Sequence, residues 1–274
     1  MDNDTQKQHT TAIFDLVAQD YINPATRFFP FTAERLVDHL KPEPNSRILD
    51  IACGTGVVCT KLAPLILPEG RVQAVDLSEK MLDVAEQHIK RHGLNNIDLH
   101  VMDAERLDFK QDHFDAITCS FGLFFLPDMS RALLEWRRVL KPTGQLIFTS
   151  FSESSFKPLA DLFVERIQQF GIVVDKARWQ RLETTTVCEQ LLIESGYSNI
   201  ETYTEQLGYH LQSAQDWWEL CWSTGFRGML EQLDALQLAQ FRQQHLDEVT
   251  KLTTEQGIWL DITVIFCKAH NPAE

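Results

Sequence analysis

The stretch "RILDIACGTGVV", from Arg47 to Val58, constrains the fold of this chain more than any other segment. Its apolar run has the length of a short buried strand and includes an acid, Asp50, near its end. Small residues and two glycines, Gly54 and Gly56, follow before apolar positions resume at helical spacing. Glycine allows backbone angles that other residues avoid and lets the chain approach a ligand closely. The segment therefore predicts a strand, a tight loop and a helix, with the loop shaped for a nucleotide-like ligand.

Strand and helix patterns alternate from this segment to Phe151. Strands are predicted for "RILDIA", "RVQAVDL", "IDLHVMDAE", "HFDAITCSFGL" and "GQLIFTSF". Such alternation is typical of βαβ units and a parallel sheet, in which ligands bind at the carboxyl ends of the strands. Asp50, Asp76, Asp103 and Ser120 all fall at those ends. The sequence therefore predicts that these four residues gather along one side of one sheet.

The pattern changes after Phe151. Helical segments are predicted over about 156–169, 185–194 and 213–253. "NIETYTEQLGYHL" and the closing "IWLDITVIFCKA" each read as one continuous strand. We expect these two strands to pair at the sheet edge, with the longest helical stretch inserted between them. No linker rich in Gly, Pro or Ser interrupts the chain, which favours a single domain.

Charge and cysteine usage exclude several classes of partner. The formal net charge of −14, without any run of Lys and Arg, argues against a nucleic-acid partner. No apolar stretch approaches the roughly 20 residues of a membrane span, and the first residues lack a signal-peptide pattern. The six cysteines form neither a CxxC pair nor a zinc-like cluster. We therefore expect reduced thiols, a cytoplasmic location and no metal.

A dinucleotide-binding fold is the main alternative at this point, because Asp76 follows the glycine loop at the distance typical of a ribose-binding acid. Three details weigh against an NAD-dependent oxidoreductase. Cys59 stands where that fold needs a third glycine or an alanine, and Asp50 places negative charge where a pyrophosphate would lie. A cofactor that carries an ammonium and a sulfonium tolerates this charge. Paired final strands are also not expected in the dinucleotide fold.

The segments "DIACGTG", "MDAERLDF", "FDAITCSFGLFFLPD" and "LLEWRRVLKPTGQLIF", with Asp76, together resemble class I S-adenosylmethionine (SAM) dependent methyltransferases. The similarity is strongest over 47–151 and closest to the group that includes ubiquinone/menaquinone C-methyltransferases. It implies an α/β fold with a Rossmann-like, seven-stranded, mostly parallel sheet in the order 3-2-1-4-5-7-6, flanked by helices. It also implies one structural domain made of a helical cap (1–45), a SAM-binding core (46–151) and a sheet-completing part (152–274) with a helical substrate lid at about 213–255.

The resemblance also implies which residues bind SAM. Asp76 is expected to bind the ribose hydroxyls and Asp103 the adenine amino group, while Ser120 and Phe121 lie near the methyl group. Ala52 departs from the family pattern, which usually has glycine there. The expected cofactor-binding residues are Tyr21, Asp50, Ala52, Cys53, Gly54, Gly56, Asp76, Leu77, Met81, Asp103, Ala104, Ser120 and Phe121.

Aromatic clusters at three places in the sequence favour a small apolar or aromatic acceptor. Trp218 and Trp222, at i and i+4, share one helix face, and Arg227 is a candidate anion anchor. The methyl group of SAM is already activated, so a base is needed only for a weakly acidic acceptor, and no catalytic residue is assigned. His210 and Tyr21 are the candidates for an acid or base. The expected substrate-binding residues are Phe28, Phe125, His210, Trp218, Trp222 and Arg227.

The sequence thus predicts a SAM-dependent methyltransferase that acts on a small-molecule metabolite. A protein that binds SAM without catalysis, as a sensor or scaffold, is the alternative from another class. Such a protein would keep the cofactor loop but would lack an enclosed acceptor pocket, so methyl transfer to any acceptor would exclude it.

Overall fold

A seven-stranded sheet forms the centre of the protein. The computed structural model describes residues 2–174 and 178–273, apart from the side chain of Trp179. The strands of this sheet are β1 (Arg47–Ile51), β2 (Arg71–Asp76), β3 (Ile97–Val101), β4 (Phe114–Ser120), β5 (Leu140–Phe151), β6 (Ser198–Gln206) and β9 (Thr263–His270). Their spatial order is β3-β2-β1-β4-β5-β9-β6. Counted along the chain within this sheet alone, the order is the predicted 3-2-1-4-5-7-6, which is confirmed.

The first five strands are parallel, and β9 runs antiparallel to both β5 and β6. The predicted pairing of the last two strands is therefore correct. The central strand β1 buries all its residues except the first, as expected of a strand covered on both faces by helices. This arrangement brings the carboxyl ends of the parallel strands, with Asp50 and Asp76, to one side of the sheet.

Helices cover the sheet and continue around its carboxyl-terminal side. They are α1 (Asn3–Val17), α2 (Phe28–Leu40), α3 (Val57–Leu62), α4 (Glu79–Arg91), α5 (Met129–Val139), α6 (Leu159–Gln168), α7 (Thr185–Glu194), α8 (Ala214–Trp222), α9 (Arg227–Leu230) and α10 (Ala235–Thr250). In α4 the Ser78 hydroxyl accepts the Met81 N–H, and Gly93 follows the helix at a φ of 65°. Both are ordinary helix-end signals that the sequence carries locally. Among the described residues, none of the helices is both long and apolar enough to cross a bilayer.

Two segments in the second half of the chain, "NIETYTEQLGYHL" and "IWLDITVIFCKA", were each predicted as one continuous strand, and this prediction was wrong for both. The first breaks at residues 207–208 and the second at 261–262, and each gives a three-residue strand to a separate two-stranded sheet of β7 (Tyr209–Leu211) and β8 (Ile258–Leu260). The Gln206 side-chain oxygen accepts the N–H groups of Gly208 and Ile262 at 2.7 and 3.2 Å, which holds both breaks side by side. A Cβ on Gly208 would lie 2.4 Å from the Leu260 carbonyl oxygen. The close crossing at this point therefore requires glycine.

The long helical stretch predicted between these strands is three helices rather than one. In α8 the Trp217 indole N–H donates to the His245 ring of α10 at 2.8 Å. Burial lowers the pKa of His245 to about 4, so this ring is neutral and accepts the hydrogen bond. The contact ties α8 to α10 within an apolar cluster that includes Phe163 of α6.

Candidate active site

The loop after β1 adopts the shape that its small residues permit. Ala52, Gly54 and Gly56 have φ values of 51°, 54° and 81°, in the left-handed region that favours glycine. Ala52 thus holds a conformation that explains why glycine is usual at this position in the resembling family. The loop after β4 comes very close, because a Cβ on Gly122 would lie 2.6 Å from Ala52 Cβ and 2.8 Å from Cys119 Sγ. Only glycine at position 122 allows the two loops to meet.

The carboxylate of Asp76 is held at the end of β2 by backbone groups on both of its oxygens. Oδ2 accepts the Gly54 N–H at 2.8 Å, and Oδ1 accepts the Ser78 N–H at 2.9 Å. Burial raises the pKa of Asp76 above its ordinary value, while the two N–H groups favour the ionised form. The glycine loop and the predicted ribose-binding acid are therefore one connected unit.

A first cavity opens at these strand ends, between the sheet and helix α1. The loops after β1, β2, β3 and β4 each contribute to its lining, as the strand-end positions of the acids predicted. The predicted cofactor-binding residues that line it are Tyr21, Ala52, Gly54, Asp76, Leu77, Met81, Asp103, Ala104, Ser120 and Phe121.

A second cavity, of about 310 Å³, adjoins the first, and ten of its 22 described lining residues are Phe or Tyr. Phe121 stacks on Phe151 with their ring centroids 4.0 Å apart, and Phe156 meets Phe151 edge to face at 4.8 Å. Phe28 and Phe125, two of the predicted substrate-binding residues, also line this cavity. The residues that border both cavities are Thr10, Phe14, Tyr21, Phe121 and Phe125.

The comparison with protein families decides the identity of this architecture. A model of the ubiE/COQ5 methyltransferase family matches residues 3–176 of the 274-residue chain. The chain belongs to the ubiE/COQ5 methyltransferase family. It is therefore a SAM-dependent methyltransferase, as the resemblance implied.

Individual members of this family are similar to the chain over most of their length. Aklanonic acid methyltransferase DauC from Streptomyces sp. (strain C5) is 33% identical over 171 residues, which cover 62% of this chain and 78% of that protein. The ubiquinone/menaquinone biosynthesis C-methyltransferase UbiE from Proteus mirabilis (strain HI4320) is 32% identical over 180 residues, covering 60% and 70%. Among solved structures, the YcgJ protein from Bacillus subtilis has the same fold, with a TM-score of 0.60, 20% identity, and coverage of 89% of this chain and 99% of that one.

Three predicted cofactor-binding residues of this family member do not line the first cavity. Asp50 is 1% exposed below the loop, where its Oδ1 accepts the Thr118 hydroxyl at 2.7 Å. Its Oδ2 has no hydrogen-bond partner in the described part of the chain, and burial raises its pKa to about 7. Cys53 is buried, and its N–H donates to the Val75 carbonyl. A Cβ on Gly56 would lie 3.1 Å from Ala85 of α4. These residues shape the loop from beneath.

The N-terminal helix contributes residues that the sequence analysis missed. The sequence analysis described residues 1–45 only as a helical cap, and in the structure helix α1 already begins at Asn3 with an Asp2 cap. Lys7 reaches Asp103 and Glu105 at 2.7 and 2.5 Å, so the predicted adenine-binding acid is already paired with a lysine. Lys7, Thr10, Thr11 and Phe14 line the cavity from one helix face. Their spacing of three and four residues was the signal that could have identified them.

The remaining predicted substrate-binding residues, His210, Trp218, Trp222 and Arg227, line neither cavity. Trp218 stacks on Trp222 and lies under Arg242 of α10. Arg227 pairs with Glu231 at 2.9 Å and lies over the Trp222 ring. His210, in β7, contacts the Trp259 ring of β8. The prediction that the two tryptophans share one helix face was correct, but this face packs against helix α10 and does not line either cavity.

Tyr21, the other candidate for an acid or base, lies between the two cavities. Its ring stacks on Phe29 with centroids 4.5 Å apart. Burial, and then the nearby Asp76 carboxylate, raise the pKa of the Tyr21 phenol above its ordinary value. The phenol therefore stays protonated near neutral pH.

Proposed function

We propose that this enzyme transfers a methyl group from SAM, bound in the first cavity, to a small apolar or aromatic acceptor bound in the second. The observation that carries the proposal is that the two cavities adjoin and share the rings of Phe14, Tyr21, Phe121 and Phe125. The first cavity contains fixed carboxylates, whereas the second is rich in aromatic rings and has no carboxylate among its described lining residues. This division matches a polar, charged donor and an apolar acceptor.

The lining of the first cavity fits the donor. Each Asp76 oxygen accepts one backbone N–H and keeps the capacity for a further hydrogen bond, as two ribose hydroxyls require. Apart from residues 53–55, no atom of the described residues lies within 4 Å of the point that a Cβ on Gly54 would occupy, so the loop leaves open space beside the cavity. Leu77 and Met81 supply apolar surface for the adenine ring, and Phe121, next to Ser120, also borders the second cavity.

The second cavity supports a ring-containing acceptor. Its phenylalanine rings offer flat faces and edges at which planar groups gain contact beyond simple burial. The relatives named above are a methyltransferase for aklanonic acid and one for ubiquinone/menaquinone biosynthesis. Both names support an acceptor of the quinone or polyketide type for this chain.

In the proposed mechanism the protein aligns the reactants and excludes water. SAM, when bound, supplies a methyl group that its sulfonium charge has already activated. Asp76 fixes the donor, while the stacked pair of Phe121 and Phe151 fixes the acceptor plane. Alignment of this kind supplies about 7–11 kcal/mol of barrier lowering in favourable cases.

We also propose a role for each of three segments of the chain. Residues 1–45 act as a cap, because Lys7 and Phe14 of α1 close the first cavity. Residues 46–151 form the SAM-binding core, and residues 152–274 complete the sheet and supply Phe226 and Met229 to the second cavity. The six cysteines are unpaired and buried, which supports a reducing, cytoplasmic compartment.

Calorimetric titration with SAM tests the donor site. Asp76→Ala should weaken SAM binding by about 1.5–3 kcal/mol, or roughly 10- to 150-fold, the scale of hydrogen bonds to a charged group. Asp98→Ala is the matched control, because it removes a carboxylate that pairs with Arg71 at the sheet edge, away from the cavity. Equal affinity of the Asp76 variant and the wild-type protein would show that the ribose contact is misassigned.

Label transfer from methyl-labelled SAM into a cell extract tests the acceptor. We expect label in the lipid-soluble fraction, and its loss with the Asp76 variant. Label confined to the aqueous fraction would contradict an apolar acceptor. Binding of SAM without any transfer would favour the non-catalytic alternative.

A further inference from the structure

The second cavity contains one feature that an apolar acceptor does not explain, the guanidinium of Arg178. The polar side chains among the described residues that line this cavity are His9, Thr10, Tyr21, Arg178, Thr224 and Gln232. Among the described lining residues, Arg178 is therefore the single side chain with a permanent charge. It follows directly on the segment 175–177 and begins a short 3-10 helix, Arg178–Leu182.

Arg178 lacks an acidic partner in the part of the chain that the structure describes. Its Nη1 donates to Thr10 Oγ1 at 3.0 Å and to the Phe125 carbonyl oxygen at 3.4 Å. Burial, and then the neighbouring Arg181 guanidinium, lower its pKa, and among the described residues no carboxylate opposes this effect. A partly buried cation without a counter-ion is costly, and a bound anion would remove that cost.

The neighbouring Arg181 provides a contrast within the same short helix. Its guanidinium donates to the carbonyl oxygens of Phe124, Leu126 and Pro127 at 3.0, 2.7 and 3.2 Å. These bonds fix the loop after β4, and Arg181 does not line the second cavity. The loop is therefore held mainly by Arg181, whereas Arg178 lines the second cavity and uses only Nη1 in its hydrogen bonds to described residues.

We infer that the acceptor is an aromatic anion whose acidic oxygen, a carboxylate or an ionised enol, is bound by Arg178. This inference rests on the proposed function and names the substrate class of the same site. Thr10 and Phe125, the two partners of Arg178, border both cavities, so the guanidinium lies near the point where donor and acceptor meet. In a protein with a net charge of −14, a local cation is needed to hold an anionic ligand.

An anionic acceptor also needs no base. The acceptor oxygen attacks the methyl carbon with its own electron pair and forms a C–O bond. The C–S bond breaks, its electron pair stays on sulfur, and no proton is transferred. The product is a neutral ester or enol ether, so methylation removes the charge that Arg178 binds and thereby favours product release.

The test measures the charge preference of the second cavity in the full-length protein with S-adenosylhomocysteine present. The probes are anthraquinone-2-carboxylate and anthraquinone-2-carboxamide, which have nearly the same shape and differ in charge. Titration with S-adenosylhomocysteine alone comes first. Failure of the wild-type protein to bind it would refute the proposed function, whereas binding without any charge preference would refute only the present inference.

We expect the wild-type protein to bind the carboxylate about tenfold or more tightly than the carboxamide, as a charge-assisted bidentate pair permits. Arg178→Met should bring the two affinities together, and Arg178→Lys should restore part of the difference. Arg181→Met is the control for loosening of the loop after β4. It should weaken the binding of both probes by the same factor and so keep the ratio of their affinities. Equal binding or no binding of the probes by the wild-type protein would overturn the inference. The inference would also be overturned if Arg178→Met kept the wild-type ratio of carboxylate to carboxamide affinity, or if Arg181→Met lost that ratio to the same extent as Arg178→Met.

Discussion

The buried carboxyl of Asp50 should make the stability of the cofactor-free protein depend on pH, and this dependence can be isolated. Asp50 is 1% exposed and accepts a single side-chain hydrogen bond, from Thr118. Burial raises its pKa from 3.8 to about 7. The folded state therefore holds this proton more strongly than the unfolded state. The contribution of Asp50 to stability is present below about pH 4 and is lost as the pH rises through about 7.

The size of the effect follows from the two pKa values. Between pH 5 and pH 8, the contribution of Asp50 to the free energy of unfolding should fall by about 2–3 kcal/mol. Asp50→Asn removes the titration and keeps an oxygen that can accept the Thr118 hydroxyl. The side-chain amide nitrogen introduced by Asp50→Asn has no hydrogen-bond partner at the Oδ2 position, but this lowers the free energy of unfolding by the same amount at every pH. The free energy of unfolding of the variant minus that of the wild-type protein should therefore rise by this amount from pH 5 to pH 8.

Urea denaturation at pH 5, 6, 7 and 8, with SAM removed, provides the measurement. Asp83→Asn, at a side chain that is 58% exposed on α4, controls for the loss of one negative charge. Its difference from the wild-type protein should stay within ~0.5 kcal/mol across the range, as is usual for surface substitutions. If the Asp50→Asn difference is equally flat, the reasoning is refuted, because Asp50 would then be ionised or hydrated beneath the loop.

Two further predictions concern contacts around the first cavity. Lys7→Met should lower the free energy of unfolding by about 1–3 kcal/mol, since it leaves two carboxylates without their cation, one of them 2% exposed. Lys80→Met, in an exposed pair, should cost no more than about 1 kcal/mol, and equal losses in urea titrations would contradict the role of Lys7. Gly122→Ala should cost about 1–3 kcal/mol, because its Cβ would overlap Ala52 in a packed loop. Gly54→Ala meets no such overlap, so beyond the strain of its φ of 54°, about 1 kcal/mol, it should chiefly weaken SAM binding. A stability loss from Gly122→Ala no larger than that from Gly54→Ala would count against the loop contact.

The order of the sheet and part of the lining of the first cavity follow from patterns that are local in the sequence. Alternating strand and helix periods predicted the parallel strands, and of the four polar residues predicted at strand ends, Asp76, Asp103 and Ser120 line the cavity. Ser78 and Gly93 marked the ends of α4 because caps act on the nearest turn of backbone. These features need no knowledge of distant contacts, since parallel strands in βαβ units bring their carboxyl ends together whatever packs around them.

The cavity walls depend on contacts between distant parts of the chain. The periodicity of α8 predicted that Trp218 and Trp222 share a face, but only packing decided that α10 covers it. Helix α1 lies over the first cavity because Lys7 finds Asp103, 96 residues away in sequence. Arg178 reaches Thr10 across 168 residues. A sequence period determines which side of an element is apolar, whereas the tertiary structure determines which neighbour meets that side and which charge is left facing a cavity.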